Sequence, residues 1–265
     1  MLNDSGNPGM FNRRMRIIVF IAIVLAAIIY AALAINIGYN ALSTSSSDEP
    51  METESTIVIT DAFSIGMNPN RDYLIVVNDQ NEYNFDGPYN KALQDDLVYI
   101  SDVYGEPTPA EKGTILAFTM LQQSLRDQGI EIGLYSGYRT KEDQQAVYDY
   151  YGNLEGWAET NKVSEPGFSE HHTGLLLNIL IWGKDEEGNM TWMTETPERQ
   201  AAHPEFAKVH EALADFGFID RYPSGKEDIT GVPCEPYEIR FVGSSEIAHG
   251  ISDNDLCLEE YINDK

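Results

Sequence analysis

The distribution of apolar and polar positions divides the chain into an apolar N-terminal segment and a mixed domain. Residues 17–38 contain no charge, and a helix of this length can cross a bilayer core of roughly 30 Å. Residues 39–55 are rich in Ser, Thr and acidic side chains, a composition typical of a flexible stalk. We therefore predict a cytoplasmic segment over 1–16, a transmembrane anchor over 17–38 and a folded domain over 56–265.

Within the domain, short β-branched runs are mixed with longer helical patterns. Strands are predicted at 56–60, 73–77, 130–138, 175–182 and 237–243. Helices are predicted at 109–128, 141–151, 196–217 (broken before Pro204) and 257–262. Because these elements follow no regular βαβ rhythm, the pattern indicates an α+β fold.

The helix at 109–128 has the strongest local signals. Thr108 is the predicted N-cap, Pro109 occupies the first helical position, and Glu111 completes a capping box. Four apolar residues recur at helical spacing and predict the buried face, namely Ile115, Phe118, Leu121 and Leu125.

Charge sets the predicted orientation and excludes one class of partner. The chain has a formal net charge of −26, and such a surface repels the phosphates of nucleic acid. Arginines precede the apolar segment and acidic residues follow it, which predicts a single-pass protein with an extracytoplasmic domain. The alternative is a cleaved signal peptide, because Ala32 and Ala34 fit the small-x-small cleavage pattern.

The two cysteines, Cys234 and Cys257, both lie in the predicted exported domain. An oxidising exterior permits a disulfide between them. Two free thiols are the equal alternative, and spacing does not decide between these states.

Candidate chemistry occurs in three segments. Arg139 follows a predicted strand and precedes a helix, where a guanidinium can receive a carboxylate, although many such arginines are only solvated. His171 and His172 lie in a Gly-flanked turn, and either ring can be a metal ligand. Asn178 interrupts an apolar strand, where a buried amide needs a partner.

The third segment contains Glu235 and Glu238, which are separated by a proline and a tyrosine. Two nearby carboxylates can act as a base and a ligand. In so acidic a protein, composition favours the alternative that they form a solvated edge.

Taken together, these segments resemble the VanY-type D-alanyl-D-alanine carboxypeptidases, zinc enzymes that trim the peptide stems of bacterial cell wall. The resemblance rests on "SGYR" followed by Gln144, on the S-x-H-x-x-G pattern at 169–174, on "FGFIDRYPSGKEDITG" and on "EPYEIRFVG". It implies a small α+β domain with helices packed on an antiparallel sheet. Its implied partner is the peptidoglycan stem peptide.

The resemblance also implies roles for individual residues. His171 matches the first zinc ligand of the family, and Glu235 matches the general base that activates the zinc-bound water. Three further residues match positions that hold the terminal carboxylate and backbone of the stem peptide, namely Arg139, Gln144 and Ser169.

Two of the three zinc ligands are changed in this chain. Asn178 stands where the family has an aspartate, Glu238 stands where it has a histidine, and Tyr237 replaces a tryptophan. Because zinc favours imidazole and an amide is a weak donor, we expect zinc binding to be weak or absent. The formal charge of the ligand set stays at −1, and His172 is a candidate replacement ligand.

Three interpretations follow. The first is a membrane-anchored relative that recognises stem peptides with impaired catalysis. The second is an active metallo-carboxypeptidase with an unusual ligand set. The third is a partner-binding ectodomain without stem recognition, because fold alone does not determine function.

Overall fold

The computed structural model describes residues 67–153, 163–196, 199 and 203–264, which belong to one unit, Thr53–Lys265. The predicted segments 1–16, 17–38 and 39–55 and the predicted strand 56–60 lie outside the described residues. Among the residues that are described, no helix combines the length and apolar character needed to cross a membrane.

The described residues contain seven strands and seven α-helices. The strands are β1 Leu97–Ser101, β2 Pro107–Glu111, β3 Ile132–Ser136, β4 Leu176–Lys184, β5 Met190–Met193, β6 Phe218–Asp220 and β7 Glu238–Phe241. The helices are α1 Pro88–Asp96, α2 Lys112–Asp127, α3 Lys141–Gly152, α4 Glu205–Leu213, α5 Glu227–Thr230, α6 Ser245–Ser252 and α7 Leu258–Asn263.

The main sheet has five strands in the order β3-β4-β7-β6, with β5 paired to β4. Every pairing in it is antiparallel, and β1 and β2 form a separate antiparallel hairpin. This arrangement confirms the predicted α+β class with an antiparallel sheet.

Helix α2 packs its apolar face into the core, as the sequence predicts. Phe118, Leu121 and Leu125 are fully buried and Ile115 is nearly so. They pack with residues of β3, β4 and β7 in one continuous hydrophobic cluster. The strands β3, β4 and β7 and the helices α3 and α7 lie within two residues of their predicted ends.

The predicted start of α2 is wrong. Thr108 and Pro109 belong to strand β2, where Pro109 pairs with Tyr99, and the helix begins only at Lys112. The N-cap is Glu111, whose carboxylate accepts a hydrogen bond of 2.8 Å from the backbone N–H of Thr114. A carboxylate at the N-cap satisfies the free N–H groups of the first turn, as a hydroxyl does. Because both Thr108 and Glu111 offer a cap, the pairing of β2 with β1 determines where the helix begins.

The predicted strand at 73–77 is also wrong, because this segment forms no ladder. Its backbone carbonyls bind a side chain instead. The Arg240 guanidinium donates hydrogen bonds of 3.2 Å to the Tyr73 carbonyl and 2.8 Å to the Ile75 carbonyl.

The predicted helix over 196–217 is interrupted before Pro204, as expected. Helix α4 begins after Pro204, as the predicted break requires, and 214–216 continue as a 3₁₀ turn. Residues 197, 198 and 200–202 lie outside the described residues. Cys234 is exposed, Cys257 is buried, and both are free thiols.

Candidate active site

The antiparallel register brings three polar residues into one row across the sheet. Asn178 of β4 pairs with Ser136 of β3 on one side and with Glu238 of β7 on the other. The register shifts between Leu134 and Ser136, and such a bulge re-aims the side chains beside it. Residues that are distant in sequence therefore meet in one row that crosses β3, β4 and β7.

His171 reaches this row from a 3₁₀ turn, Glu170–Thr173, which ends at Gly174 in the left-handed region with φ of 71°. Its Nδ1 lies 2.6 Å from the Gly137 carbonyl. The carbonyl can only accept, so Nδ1 carries the proton and Nε2 presents a lone pair. Burial, assisted by the charge of Arg139, lowers the pKa of His171 and keeps the ring neutral.

The side chains of His171, Asn178 and Glu238 then lie next to one another. Asn178 Nδ2 donates a hydrogen bond of 2.8 Å to Glu238 Oε1, and His171 Nε2 lies 3.6 Å from the same oxygen, which is too long for a hydrogen bond. Among the described residues, His171 Nε2 and Asn178 Oδ1 are buried and have no partner. Each is a buried acceptor that lacks a donor, and a cation bound beside them would satisfy both.

The potential metal ligands of this site fit a cation in general but do not match zinc. They comprise one imidazole, one carboxylate and one neutral amide oxygen, whereas catalytic zinc sites use three strong protein ligands. No group of three His, Cys, Asp or Glu side chains in the described part of the chain is arranged to hold a metal ion. An oxygen-rich set of this kind suits harder divalent ions better than zinc.

Glu235 and Glu238 face one another at the end of this row. The backbone N–H of Glu238 donates to the Glu235 carbonyl at 3.0 Å, so the two carboxyl groups leave a tight turn together. Burial and the neighbouring charge of Glu238 raise the pKa of Glu235 to about 9. Burial acts on Glu238 in the same sense, but the charge of Arg139 and the hydrogen bond from Asn178 oppose it, and the pKa of Glu238 is lowered.

Arg139 is held in place by two polar neighbours. Its Nε and Nη2 donate to Ser136 Oγ at 3.1 and 2.9 Å, and its Nη1 donates to Gln144 Oε1 at 3.2 Å. Burial lowers the pKa of Arg139, although the group stays charged at neutral pH. A guanidinium has five N–H groups, so these contacts leave one hydrogen on each terminal nitrogen to receive a ligand.

The other two predicted substrate residues have different surroundings. Gln144 is buried, and its amide nitrogen donates to the Ser164 carbonyl at 2.7 Å. Both ends of this amide are therefore occupied, and Gln144 orients the guanidinium. Ser169 is buried at the N-cap of the turn that carries His171.

His172 is not a replacement ligand in this structure. Its Nδ1 donates to the Arg139 carbonyl at 2.8 Å, and its Nε2 accepts from the backbone N–H of Gly167 at 3.0 Å. The ring is buried and packs against Tyr83 and Phe85. Burial lowers the pKa of His172 to about 4. His172 fixes the backbone of Arg139 and leaves His171 as the histidine of the site.

A buried ion-pair network that the sequence analysis missed supports the turn. Glu170, next to His171, accepts hydrogen bonds from both Arg221 and Arg240. Arg221 also forks onto Glu259, at 3.0 and 2.7 Å. The sequence signal for this network was the charge of Glu170 directly beside the candidate ligand His171. Its partners Arg221 and Arg240 could not be identified from the sequence, because they lie 51 and 70 residues away.

The comparisons with known proteins match this part of the chain. A family model described as D-alanyl-D-alanine carboxypeptidase matches residues 109–244. A D-alanyl-D-alanine carboxypeptidase of Enterococcus faecalis is 38% identical over 157 residues, or 53% of this chain and 52% of that protein. A putative carboxypeptidase of Bacillus subtilis, YodJ, is 34% identical over 146 residues, or 55% and 50%. The chain spans about half the length of these two curated relatives.

Solved structures show the same likeness. The LdcB LD-carboxypeptidase, described as revealing the molecular basis of peptidoglycan recognition, superposes with a TM-score of 0.58 at 30% identity, covering 72% of this chain and 86% of that one. A mutant of a vancomycin-resistance D,D-pentapeptidase in complex with Zn(II) gives a TM-score of 0.54 at 30% identity, covering 72% and 98%.

Proposed function

This chain belongs to the VanY family of D-alanyl-D-alanine carboxypeptidases, and from that membership we propose that it recognises peptidoglycan stem peptides at the cell wall. We further propose that its hydrolytic activity is impaired. The apolar segment 17–38 is the proposed membrane anchor.

The observation that carries the proposal is the hydrogen bonding of the Arg139 guanidinium. Ser136 and Gln144 fix its guanidinium and leave a hydrogen on each terminal nitrogen for a ligand. A guanidinium with one free N–H group on each terminal nitrogen can fork onto the two oxygens of a carboxylate. A related solved structure is described as VanYB in complex with D-Alanine-D-Alanine, and the terminal carboxylate of that dipeptide is the proposed ligand of Arg139.

Impaired hydrolysis follows from the ligand set. A metal that lowers the pKa of bound water needs strong ligands to stay bound during turnover. The Asn178 amide replaces a carboxylate at this position, and the Glu238 carboxylate replaces an imidazole. Recognition and hydrolysis can therefore separate in this chain, because Arg139 and the cation site are built from different side chains.

Binding of a D-Ala-D-Ala-terminated pentapeptide tests recognition. Removing a bidentate, charge-assisted contact costs roughly 2–3 kcal/mol, so Arg139→Ala should weaken binding at least thirty-fold, by roughly the tenfold per 1.4 kcal/mol rule. Arg139→Lys should recover only part, because an ammonium lacks the planar fork. Arg126→Ala is the matched control, since Arg126 is an exposed arginine in the last turn of α2.

Equal binding by the wild type and Arg139→Ala would contradict this role. If the wild type binds no stem peptide at all, the third interpretation, a partner-binding ectodomain, replaces the proposal.

The unpartnered atoms favour a second candidate, an active metallo-carboxypeptidase with an unusual ligand set. His171 Nε2 and Asn178 Oδ1 are buried without a partner in the described part of the chain. Both atoms can be metal ligands. Metal content and D-alanine release from the pentapeptide distinguish the two candidates. One tightly bound metal with steady D-alanine release supports the second candidate, and binding of the peptide without release supports the first.

A further inference from the structure

Exposed tyrosine rings gather beside Arg139. Tyr104, Tyr135 and Tyr150 are 69%, 44% and 63% exposed. Together with Tyr151 we call them the tyrosine platform. Single exposed aromatic residues need no explanation, but a group of them beside a recognition site indicates a binding surface.

The platform consists of two edge-to-face ring pairs, and one ring of each pair, Tyr135 or Tyr151, interacts electrostatically with Arg139. The centroids of Tyr104 and Tyr135 lie 6.1 Å apart at 79°, and those of Tyr150 and Tyr151 lie 5.0 Å apart at 82°. Burial raises the pKa of Tyr135, Tyr151 and Tyr104 raise it further, and Arg139 opposes them. Members of both pairs are thus close enough to one another and to Arg139 to interact electrostatically.

The backbone holds Tyr104 in place. Asp102 accepts hydrogen bonds from the N–H groups of Tyr104 and Glu106, at 2.8 and 2.9 Å, and so shapes the turn between β1 and β2. The N–H of Val103 donates to the Leu134 carbonyl at 2.9 Å, which fastens this turn to β3 beside Tyr135. Since tyrosine has only two side-chain torsions, little entropy is lost when a ligand covers these rings.

We propose that the tyrosine platform binds the glycan strand to which the stem peptide is attached, an inference that rests on the proposed function. A sugar ring has an apolar C–H face and a rim of hydroxyls, and tyrosine offers an apolar ring and a polar tip in return. A neutral saccharide is also compatible with a net charge of −26, which disfavours anionic polymers.

This assignment requires the stem to fold back over the platform. A pentapeptide spans at most roughly 17 Å when extended, at about 3.3–3.6 Å per residue. With its terminal carboxylate on Arg139, a stem that bends back leaves its sugars within reach of rings that border the same residue.

Two ligands and four variants test the proposal. The ligands are a D-Ala-D-Ala pentapeptide and the same peptide carried on its N-acetylated disaccharide. The full-length chain is kept in detergent, and every variant carries Glu235→Gln so that neither ligand is hydrolysed. The added changes are Tyr104→Ala, Tyr150→Ala, Tyr104→Phe and, as the matched control, Tyr99→Ala, which removes a tyrosine that is 57% exposed outside the platform.

The protein without an added change should bind the disaccharide peptide about five- to ten-fold more tightly than the free peptide, as expected for one or two ring contacts. Each Ala change in the platform should abolish most of that difference and leave the affinity for the free peptide unchanged. Tyr104→Phe and Tyr99→Ala should preserve it.

Other outcomes overturn the inference. Equal affinity for both ligands refutes the glycan site while the proposed function stands. An equal loss for both ligands in the Ala variants assigns the platform to the peptide. If neither ligand binds, the proposed function fails, and the glycan site fails with it.

Discussion

Replacing Asn178 by aspartate restores one ligand of the family set and, in the absence of metal, opposes two carboxylates. Asn178 Nδ2 lies 2.8 Å from Glu238 Oε1, and both side chains are buried. Asn178→Asp therefore removes a donor from a charged acceptor and adds a second negative charge at the same point. Combined with Glu238→His, the same change yields a His, Asp, His set around His171.

The contact geometry sets the size of the effect. A hydrogen bond to a charged group contributes about 1.5–3 kcal/mol, and two unit charges about 4 Å apart repel by roughly 4 kcal/mol at an effective dielectric constant of about 20. A proton shared by the two carboxyl groups relieves part of that repulsion. We expect Asn178→Asp to lower the free energy of unfolding by about 2–4 kcal/mol without metal, from the same two contributions. For a domain of this size the melting temperature falls by roughly 5–15 °C.

Thermal unfolding in chelator and in zinc, with zinc stoichiometry and D-alanine release, measures these changes. Zinc at about 100 times its Kd stabilises the folded state by about 2.7 kcal/mol, so the double variant should gain stability in zinc and release D-alanine faster than the wild type. Each single variant should gain less, because ligands of one ion are not independent. Asn254→Asp is the matched control, since Asn254 is exposed and donates to the Gly250 carbonyl.

The result that refutes this reasoning is an Asn178→Asp protein that unfolds in chelator at the wild-type temperature. If the wild type holds one zinc as tightly as the double variant and releases D-alanine as fast, the proposal of impaired hydrolysis is wrong. If the double variant binds zinc but stays inert, the defect lies elsewhere, and Tyr237 is the next residue to exchange.

Two further predictions concern the pH dependence of stability and the orientation of the chain. Burial lowers the pKa of His210, but hydrogen bonds to Asp220 and Glu195 outweigh it and raise the pKa from 6.5 to about 10. The stabilisation is therefore complete below pH 6.5 and is lost as the pH rises to about 10; the unfolding free energy of the wild type minus that of His210→Gln should fall over this interval, and a constant difference would contradict the assignment. Protease added to intact, wall-stripped cells should digest the acidic domain, and resistance without lysis would refute an extracytoplasmic orientation.

Sequence reasoning succeeded where neighbouring residues determine the structure. The apolar stripe of α2, the strands β3, β4 and β7 and the helix α3 follow from periodicity and capping over a few residues. The resemblance to the family also identified Gln144, which lies one helical turn into α3 and contacts the guanidinium. The helices and strands depend on local backbone preference, which the sequence expresses directly.

Other features depend on contacts between distant segments. The extended segment at 73–77 has the composition of a strand, yet the carbonyls of Tyr73 and Ile75 bind Arg240, about 165 residues away. Likewise Thr108 and Pro109 carry helix-start signals, but pairing with β1 holds them in β2. In both places a tertiary contact outweighed a local preference worth about 1–2 kcal/mol.

The site shows the same division between sequence and tertiary structure. The sequence by itself determined which residues are available: an unaltered Arg139, a single matching ligand in His171, and an amide at 178 that needs a partner. Only the sheet register placed Asn178 opposite Glu238, 60 residues away, and only packing tied both nitrogens of His172 to backbone groups. The physical reason is that residue types set hydrogen-bonding capacity and charge, whereas the assignment of donors to acceptors depends on which segments the folded core brings together.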